Sequence, residues 1–382
     1  MTQPTPLIMV CANLAWNLVN FRADLIQALL DDGFRVMAIA PANSAMATSL
    51  RAMGCEFAAV KMNAAGLSPL RDLATALAFF RLIRHHRPSA WLSWTIKPNI
   101  YGSLAAACFR VPALPNVSGL GTAFIRRSAI TNLVELLYRL GFRRAPSVFF
   151  QNGDDRDLFV SLGLVKPLQA RLLPGSGVDW RHFSAPTPDR PTPRHFLMVA
   201  RIVADKGVRE YVAAARQLRR RWPDARFRLL GFLDADNRTV ISRDEVMGWV
   251  DEGIIEFLPG AEDVRPAMAE ADFVVLPSYR EGLSRVLLEA AAMSRPIVTT
   301  NVPGCRDIVS DGVNGYLCAA RDAESLASAM IRAGETDDTE WQRLARAGRA
   351  RIIAEFSHSR VIELYRQALA DAGVAPSGNG DG

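Results

Sequence analysis

The chain has 382 residues, 49% of them hydrophobic and 22% charged, with a formal net charge of +6. A single core stops growing at about 250–300 residues, so this length calls for two domains, and the composition is that of a globular protein rather than a disordered or fibrous one. No apolar run reaches the roughly 18 residues of a membrane span, Met1 to Pro6 lacks the basic start of a signal peptide, and Cys11, Cys55, Cys108, Cys305 and Cys318 form no C-x-x-C pair. The expectation is a cytoplasmic protein with free thiols.

In chain order, Leu7 to Ala12 reads as a strand, Phe21 to Asp32 as its helix and Phe34 to Ala40 as a second strand. Such alternation marks an α/β chain. Residues 1–188 carry 19 Lys and Arg against 10 Asp and Glu, whereas the remainder carries 26 against 29. A basic first half points to an anionic partner. Nucleic acid is not that partner, because no zinc spacing, aromatic RNA-binding signature or basic helix-turn-helix pattern occurs. Residues 123–144 join Phe124, Ile125, Ile130, Leu133, Leu137 and Leu140 to Arg126, Arg127, Arg139, Arg143 and Arg144, which suits either a helix packed on its own domain or a reversible contact with an anionic membrane surface.

Pro188 to Arg194 is stiff and polar, and is read as the linker. Beyond it the alternation restarts, with strands expected at Phe196–Ala200, Phe227–Gly231, Ile254–Leu258, Phe273–Leu276 and Pro296–Thr300 and a helix at Val208–Trp222. Two Rossmann-like halves follow, with ligand expected at the strand ends in the cleft between them. The divisions are 1–188 and 189–358, then a last helix at 359–372 and a disordered Pro/Gly/Ser-rich tail at 373–382.

The most informative segment is Ala271 to Met293. An apolar strand runs into Ser278-Tyr279-Arg280-Glu281-Gly282, and a helix is expected from Leu283 with Ser284 capping it. A strand feeding a turn and a helix N-terminus presents free N–H groups to an anion. Glu281 beside such a site suits accepting hydrogen bonds from sugar hydroxyls, and Glu289, about two turns into the expected helix, returns to its face.

The run Leu276 to Ala290, with Val199-Ala200-Arg201-Ile202-Val203-Ala204-Asp205-Lys206-Gly207, Arg295-Pro296-Ile297-Val298, Asn301-Val302-Pro303-Gly304-Cys305 and Asp311 to Leu317, resembles the family 4 retaining glycosyltransferases of GT-B fold. The resemblance implies two Rossmann-like domains, the first binding acceptor and the second a nucleotide-sugar, with the last helix packing back on the first domain. It also implies that Arg201 and Lys206 bind the diphosphate, Glu281 the donor sugar and Glu289 the ribose, with Gly282, Leu283 and Ser284 near phosphate. Departing diphosphate needs a metal or fixed positive charge, and Arg201 and Lys206 supply the latter, so neither metal nor cofactor is expected. Lys206 is the sole lysine of a second half otherwise furnished with arginine.

Two rival signals are set aside. Asp234-Ala235-Asp236 has a metal-binding D-x-D form but stands in the wrong context, and Gly119-Leu120-Gly121 lacks the third glycine and the later acid of a dinucleotide loop. The family's first-domain histidine has no counterpart here, which leaves electrostatics and positioning to do the catalysis.

Asn13 to Arg22, Thr95 to Gly102 and Asn116 to Thr122 resemble a subgroup extending undecaprenyl-diphosphate-linked sugars, including bacterial N-acetylgalactosaminyltransferases. That makes Asn17, Lys97, Ser118 and Gly119 acceptor or cleft candidates. The reading is a retaining, metal-independent transferase using a nucleotide-sugar, UDP-linked, to extend a lipid-linked saccharide in bacterial surface glycan assembly. It would work in the cytoplasm at the inner face of the membrane. The alternatives are a GT-B sugar-nucleotide epimerase, a transferase to a soluble acceptor, and a non-catalytic component of an assembly complex.

Overall fold

The structure, a computed structural model, describes residues 5–63, 68–119, 129–184, 190, 194–233 and 239–376. The chain divides into two compact units, Met1–Ser176 with His358–Gly382, and Gly177–Ser357. In the first unit the strands are β1 (Leu7–Cys11), β2 (Arg35–Ala40), β3 (Glu56–Ala59), β4 (Ala90–Trp94), β5 (Ala113–Val117), β6 (Val148–Phe150) and β7 (Ala170–Leu172). They form one parallel sheet in the order β3-β2-β1-β4-β5-β6-β7. In the second, β8 (His195–Val199), β9 (Arg226–Gly231), β10 (Glu256–Pro259), β11 (Phe273–Leu276), β12 (Ile297–Thr300) and β13 (Gly315–Cys318) are parallel in the order β10-β9-β8-β11-β12-β13.

Parallel strands need crossover helices, which cover both faces of the sheet and leave central strands buried throughout. Accordingly β1, β4, β11 and β12 are buried at every position. On one face of the first sheet, helix His358–Asp371 puts Val361, Tyr365 and Leu369 into a core with Ile8, Val10 and Leu92. On the other, helix Pro69–His86 packs Phe79 and Ile83 on Met9 and Trp91. Each strand order reverses between its first and fourth members, β1 and β4 in one unit and β8 and β11 in the other. Beyond the carboxyl ends of those pairs an α/β sheet opens a ligand crevice.

The units part at 176/177 and 357/358, not at 188/189 and 358/359. The crossing is made by glycine rather than by the proline-rich stretch. Gly175 and Gly177 adopt φ of 61° and 71°, a left-handed geometry that costs glycine nothing, and the Val178 amide then donates to the Phe356 carbonyl at 2.9 Å. Arg190, read as linker, is anchored inside the second unit by Asp272 (Nε 2.9 Å, Nη2 3.0 Å) and by the Thr336 carbonyl (2.7 Å).

The tail begins later than expected as well. Gly373 has φ 74° and Val374 is buried in the first unit's core, while residues 377–382 lie outside the described set, as do Leu120 to Ser128 and Asp234 to Arg238. The helix expected from Leu283 starts at Arg285 and ends at Ala292. Glu289 is therefore just over one turn in, not two.

Candidate active site

Two turns leave the strand ends at the second unit's reversal point. After β8 the chain runs Ala200 to Gly207, and after β11 it runs Pro277 to Ser284. Two glycines bring them into contact. A Cβ on Gly207, which has φ 75°, would overlap the Pro277 carbonyl oxygen, so only glycine lets the turns close to this distance while also starting helix Val208–Arg221. The Tyr279 amide donates to the Asp205 carbonyl at 2.9 Å, and the Tyr279 hydroxyl to Glu210 Oε1 at 2.6 Å. Burial, followed by that carboxylate, pushes the Tyr279 phenol up to about 12. On the far side, a Cβ on Gly304 would stand 2.6 Å from the Glu281 carbonyl oxygen, and the Glu281 and Ser284 amides donate to the Pro303 and Gly304 carbonyls at 3.2 and 3.1 Å.

This packing delivers the expected side chains. The Lys206 ammonium pairs with Glu281 Oε1, and the Ser278 hydroxyl donates to the same oxygen at 2.6 Å. Ser278 is held in turn, because the Thr300 hydroxyl donates to its carbonyl at 2.5 Å. Arg201 stands exposed on the neighbouring turn, its guanidinium without a polar partner among the described residues. The Leu283 amide is likewise left as a donor among those residues. Ser284 occupies the N-cap position, but its side chain makes no cap hydrogen bond. Its capping role is corrected; it is buried.

The two glutamates differ. Glu281 is bound to Lys206 and Ser278, whereas Glu289 is almost fully buried and receives a 2.6 Å hydrogen bond from Arg285 Nε. Burial raises the Glu289 carboxyl above its ordinary range, opposed by Arg285. Among the described residues no hydrogen bond joins the two.

In the first unit, Asn17, Lys97, Ser118 and Gly119 follow β1, β4 and β5, which are neighbours in the sheet, so all four stand at one edge. Asn17 Nδ2 donates to Asn13 Oδ1 at 3.1 Å. Lys97 is not an open cation: its ammonium is buried and lies 2.7 Å from Asp72 Oδ1. Burial, with the Asp72 carboxylate behind it, pushes the Tyr101 phenol up to about 12. Thr95 holds φ 74°, a genuine outlier for a β-branched residue and of the kind that collects at ligand sites. Beneath it, Ser93 Oγ donates to Asn99 Oδ1 (2.9 Å), Asn99 Nδ2 to the Asn116 carbonyl (2.7 Å) and Asn116 Nδ2 to the Tyr365 hydroxyl (3.2 Å). Asp72 escapes sequence reading altogether, and Thr95 and Ser278 stand there inside longer motifs with no role of their own.

The profile of the family described as Glycosyl transferases group 1 matches residues 193–336, and that of the Glycosyl transferase 4-like domain matches residues 19–176. This chain belongs to the family 4-like, group 1 glycosyltransferases. The glycosyltransferase is 26% identical over 327 residues, 81% of its length and 84% of the relative's, to the N,N'-diacetylbacillosaminyl-diphospho-undecaprenol alpha-1,3-N-acetylgalactosaminyltransferase of Campylobacter jejuni. It is 21% identical over 319 residues, 80% of its length and 81% of the relative's, to the UDP-Gal:alpha-D-GlcNAc-diphosphoundecaprenol alpha-1,3-galactosyltransferase of Escherichia coli. Its fold matches Anabaena HepE in complex with UDP-glucose at a TM-score of 0.77 and 18% identity, covering 96% of this chain and 100% of that one. The fold is therefore GT-B, two Rossmann-like α/β units. No described helix is long and apolar enough to cross a membrane.

Proposed function

We propose that the glycosyltransferase transfers a sugar, with retention of configuration and without a metal ion, from a UDP-linked donor to a lipid-linked saccharide in bacterial glycan assembly. The observation that carries this reading is the pairing of Lys206 with Glu281 beside the unpartnered Arg201 at the second unit's strand reversal. An ammonium has three N–H donors, so Lys206 can keep Glu281 and still reach a phosphate, while Arg201 offers a fork to the same group. Glu281 then accepts hydrogen bonds from donor-sugar hydroxyls, and Glu289 from the ribose. In a front-face displacement the bond from the sugar's anomeric carbon to the phosphate oxygen breaks as the acceptor oxygen bonds the same face. The acceptor's proton passes to the departing phosphate oxygen, and no protein nucleophile is needed. The family resemblance puts Gly282 and Leu283 near that phosphate, and the Leu283 amide is a donor without a partner among the described residues.

The acceptor is assigned to the first unit, at Asn17, Lys97, Ser118 and Gly119. Support for a lipid-linked acceptor comes from the two relatives named for diphospho-undecaprenol-linked sugars and from helix Ala129–Phe142. That helix turns Val134, Tyr138 and Phe142 inward and leaves Leu133, Leu136 and Leu140 exposed in a row. Leu70, Leu73 and Leu77 form a second exposed row on helix Pro69–His86. Such rows, next to basic residues, suit reversible contact with an anionic bilayer surface.

The test is turnover in excess chelator, which should persist, with Arg201→Ala and Lys206→Ala each losing about 100-fold or more in rate. Activity abolished by chelator and restored by Mn²⁺ would reject the metal-free reading and return the role to Asp234 and Asp236.

A further inference from the structure

We propose that Phe232 is the platform on which the base of the donor nucleotide stacks, making it a specificity-determining residue of the transfer. The inference rests on the donor reading above and adds a contact that neither the phosphate-binding nor the sugar-binding residues supply. Phe232 is the first residue past β9 and is 59% exposed, an apolar aromatic left in water where burial would be favourable. It is not a loose side chain. One face of its ring lies over Gly260, the first residue past β10, so closely that a Cβ there would stand 2.5 Å from ring carbons Cγ and Cδ1. Glycine at 260 is thus what allows the ring to lie flat, and more than half of the residue's surface stays exposed to a ligand.

Position ties the ring to the diphosphate site. β9 lies beside β8, with Val199 opposite Leu230. The Ala200 amide donates to the Leu230 carbonyl at 3.0 Å, and a Cβ on Gly231 would overlap the Ala200 carbonyl oxygen. Arg201 follows Ala200, and Phe232 follows Gly231. The cation and the ring therefore spring from adjoining backbone on one sheet edge, about one strand spacing, roughly 5 Å, apart at their origins. A nucleoside diphosphate with its phosphates at Arg201 and Lys206 has its base, a planar π-system, within reach of the ring. Base–aromatic stacking tolerates any base identity and contributes through the π-face alone, so Phe232 selects for a nucleotide over a bare diphosphate.

The experiment is calorimetric titration of the full chain with UDP, with GDP and ADP alongside, and with inorganic diphosphate. Phe232→Ala should weaken the preferred nucleoside diphosphate roughly tenfold or more and leave inorganic diphosphate unchanged, whereas Phe232→Trp should retain nucleotide affinity. Gly260→Ala, which keeps the ring but lifts it, should also weaken the nucleotide. Undiminished nucleotide affinity in Phe232→Ala, or a parallel loss of inorganic diphosphate, would overturn the platform with the donor site intact. A wild type that binds none of the three nucleotides would overturn the donor reading itself.

Discussion

The two glutamates show how one residue type meets different surroundings within one motif. Glu281 keeps an ammonium and a hydroxyl within hydrogen-bond reach at the open end of the turn. Glu289 sits among buried helix residues, with Arg285 to offset the cost of its charge. Glu281→Gln should therefore depress turnover while UDP affinity stays nearly constant. Glu289→Ala should weaken UDP by roughly tenfold or more, the scale of a lost charged hydrogen bond. Titration of both variants with UDP checks the assignment, and equal losses would refute it. That Arg201, Lys206 and Glu281 stand on turns at strand ends is legible in the sequence, because each turn follows an apolar run and holds a glycine. The pairing of Lys97 with Asp72 is not: it depends on which side of helix Pro69–His86 faces inward, and an acid in a first helical turn is unremarkable by itself.

At the scale of elements, strands and helices are readable from their apolar runs, and most ends fall within a residue or two. The joints are not. Proline content suggests a crossing at Pro188, yet the chain crosses at Gly175 and Gly177, because a change of direction needs backbone freedom whereas stiffness merely resembles a spacer. Gly207 carries the strongest such requirement, having both positive φ and a neighbour that excludes a Cβ. Gly207→Ala should destabilise the second unit by at least about 1–3 kcal/mol, seen as a calorimetric midpoint lower by several degrees, with transfer activity falling as the turns separate. Gly248, inside helix Arg243–Asp251 with open space where a methyl group would stand, is the control. Gly248→Ala should raise stability by about 0.5–1 kcal/mol, the helix preference for alanine.

For the whole molecule, the exposed apolar rows belong to the first unit, which also holds the chain's excess of basic residues. Changing Leu133, Leu136 and Leu140 together to Ser should abolish co-sedimentation with anionic vesicles while leaving UDP affinity unchanged, and neutral vesicles should bind the wild type less. Sedimentation unaffected by lipid charge, by salt and by these substitutions would remove this helix as the contact. Arg139 is less available to a bilayer than the sequence suggests, since its guanidinium already donates to the Gly163 and Leu162 carbonyls at 3.2 and 3.1 Å. The discontinuous first unit has a separate consequence for biosynthesis. Tyr365, Leu369 and Val374 complete a core begun at Ile8, yet they leave the ribosome only after all of Gly177–Ser357 has been made. The second unit, one unbroken stretch, can mature during translation, while the first must wait with its apolar groove open until the closing helix emerges. For this chain the usual N-to-C order of cotranslational domain folding is inverted at the last step.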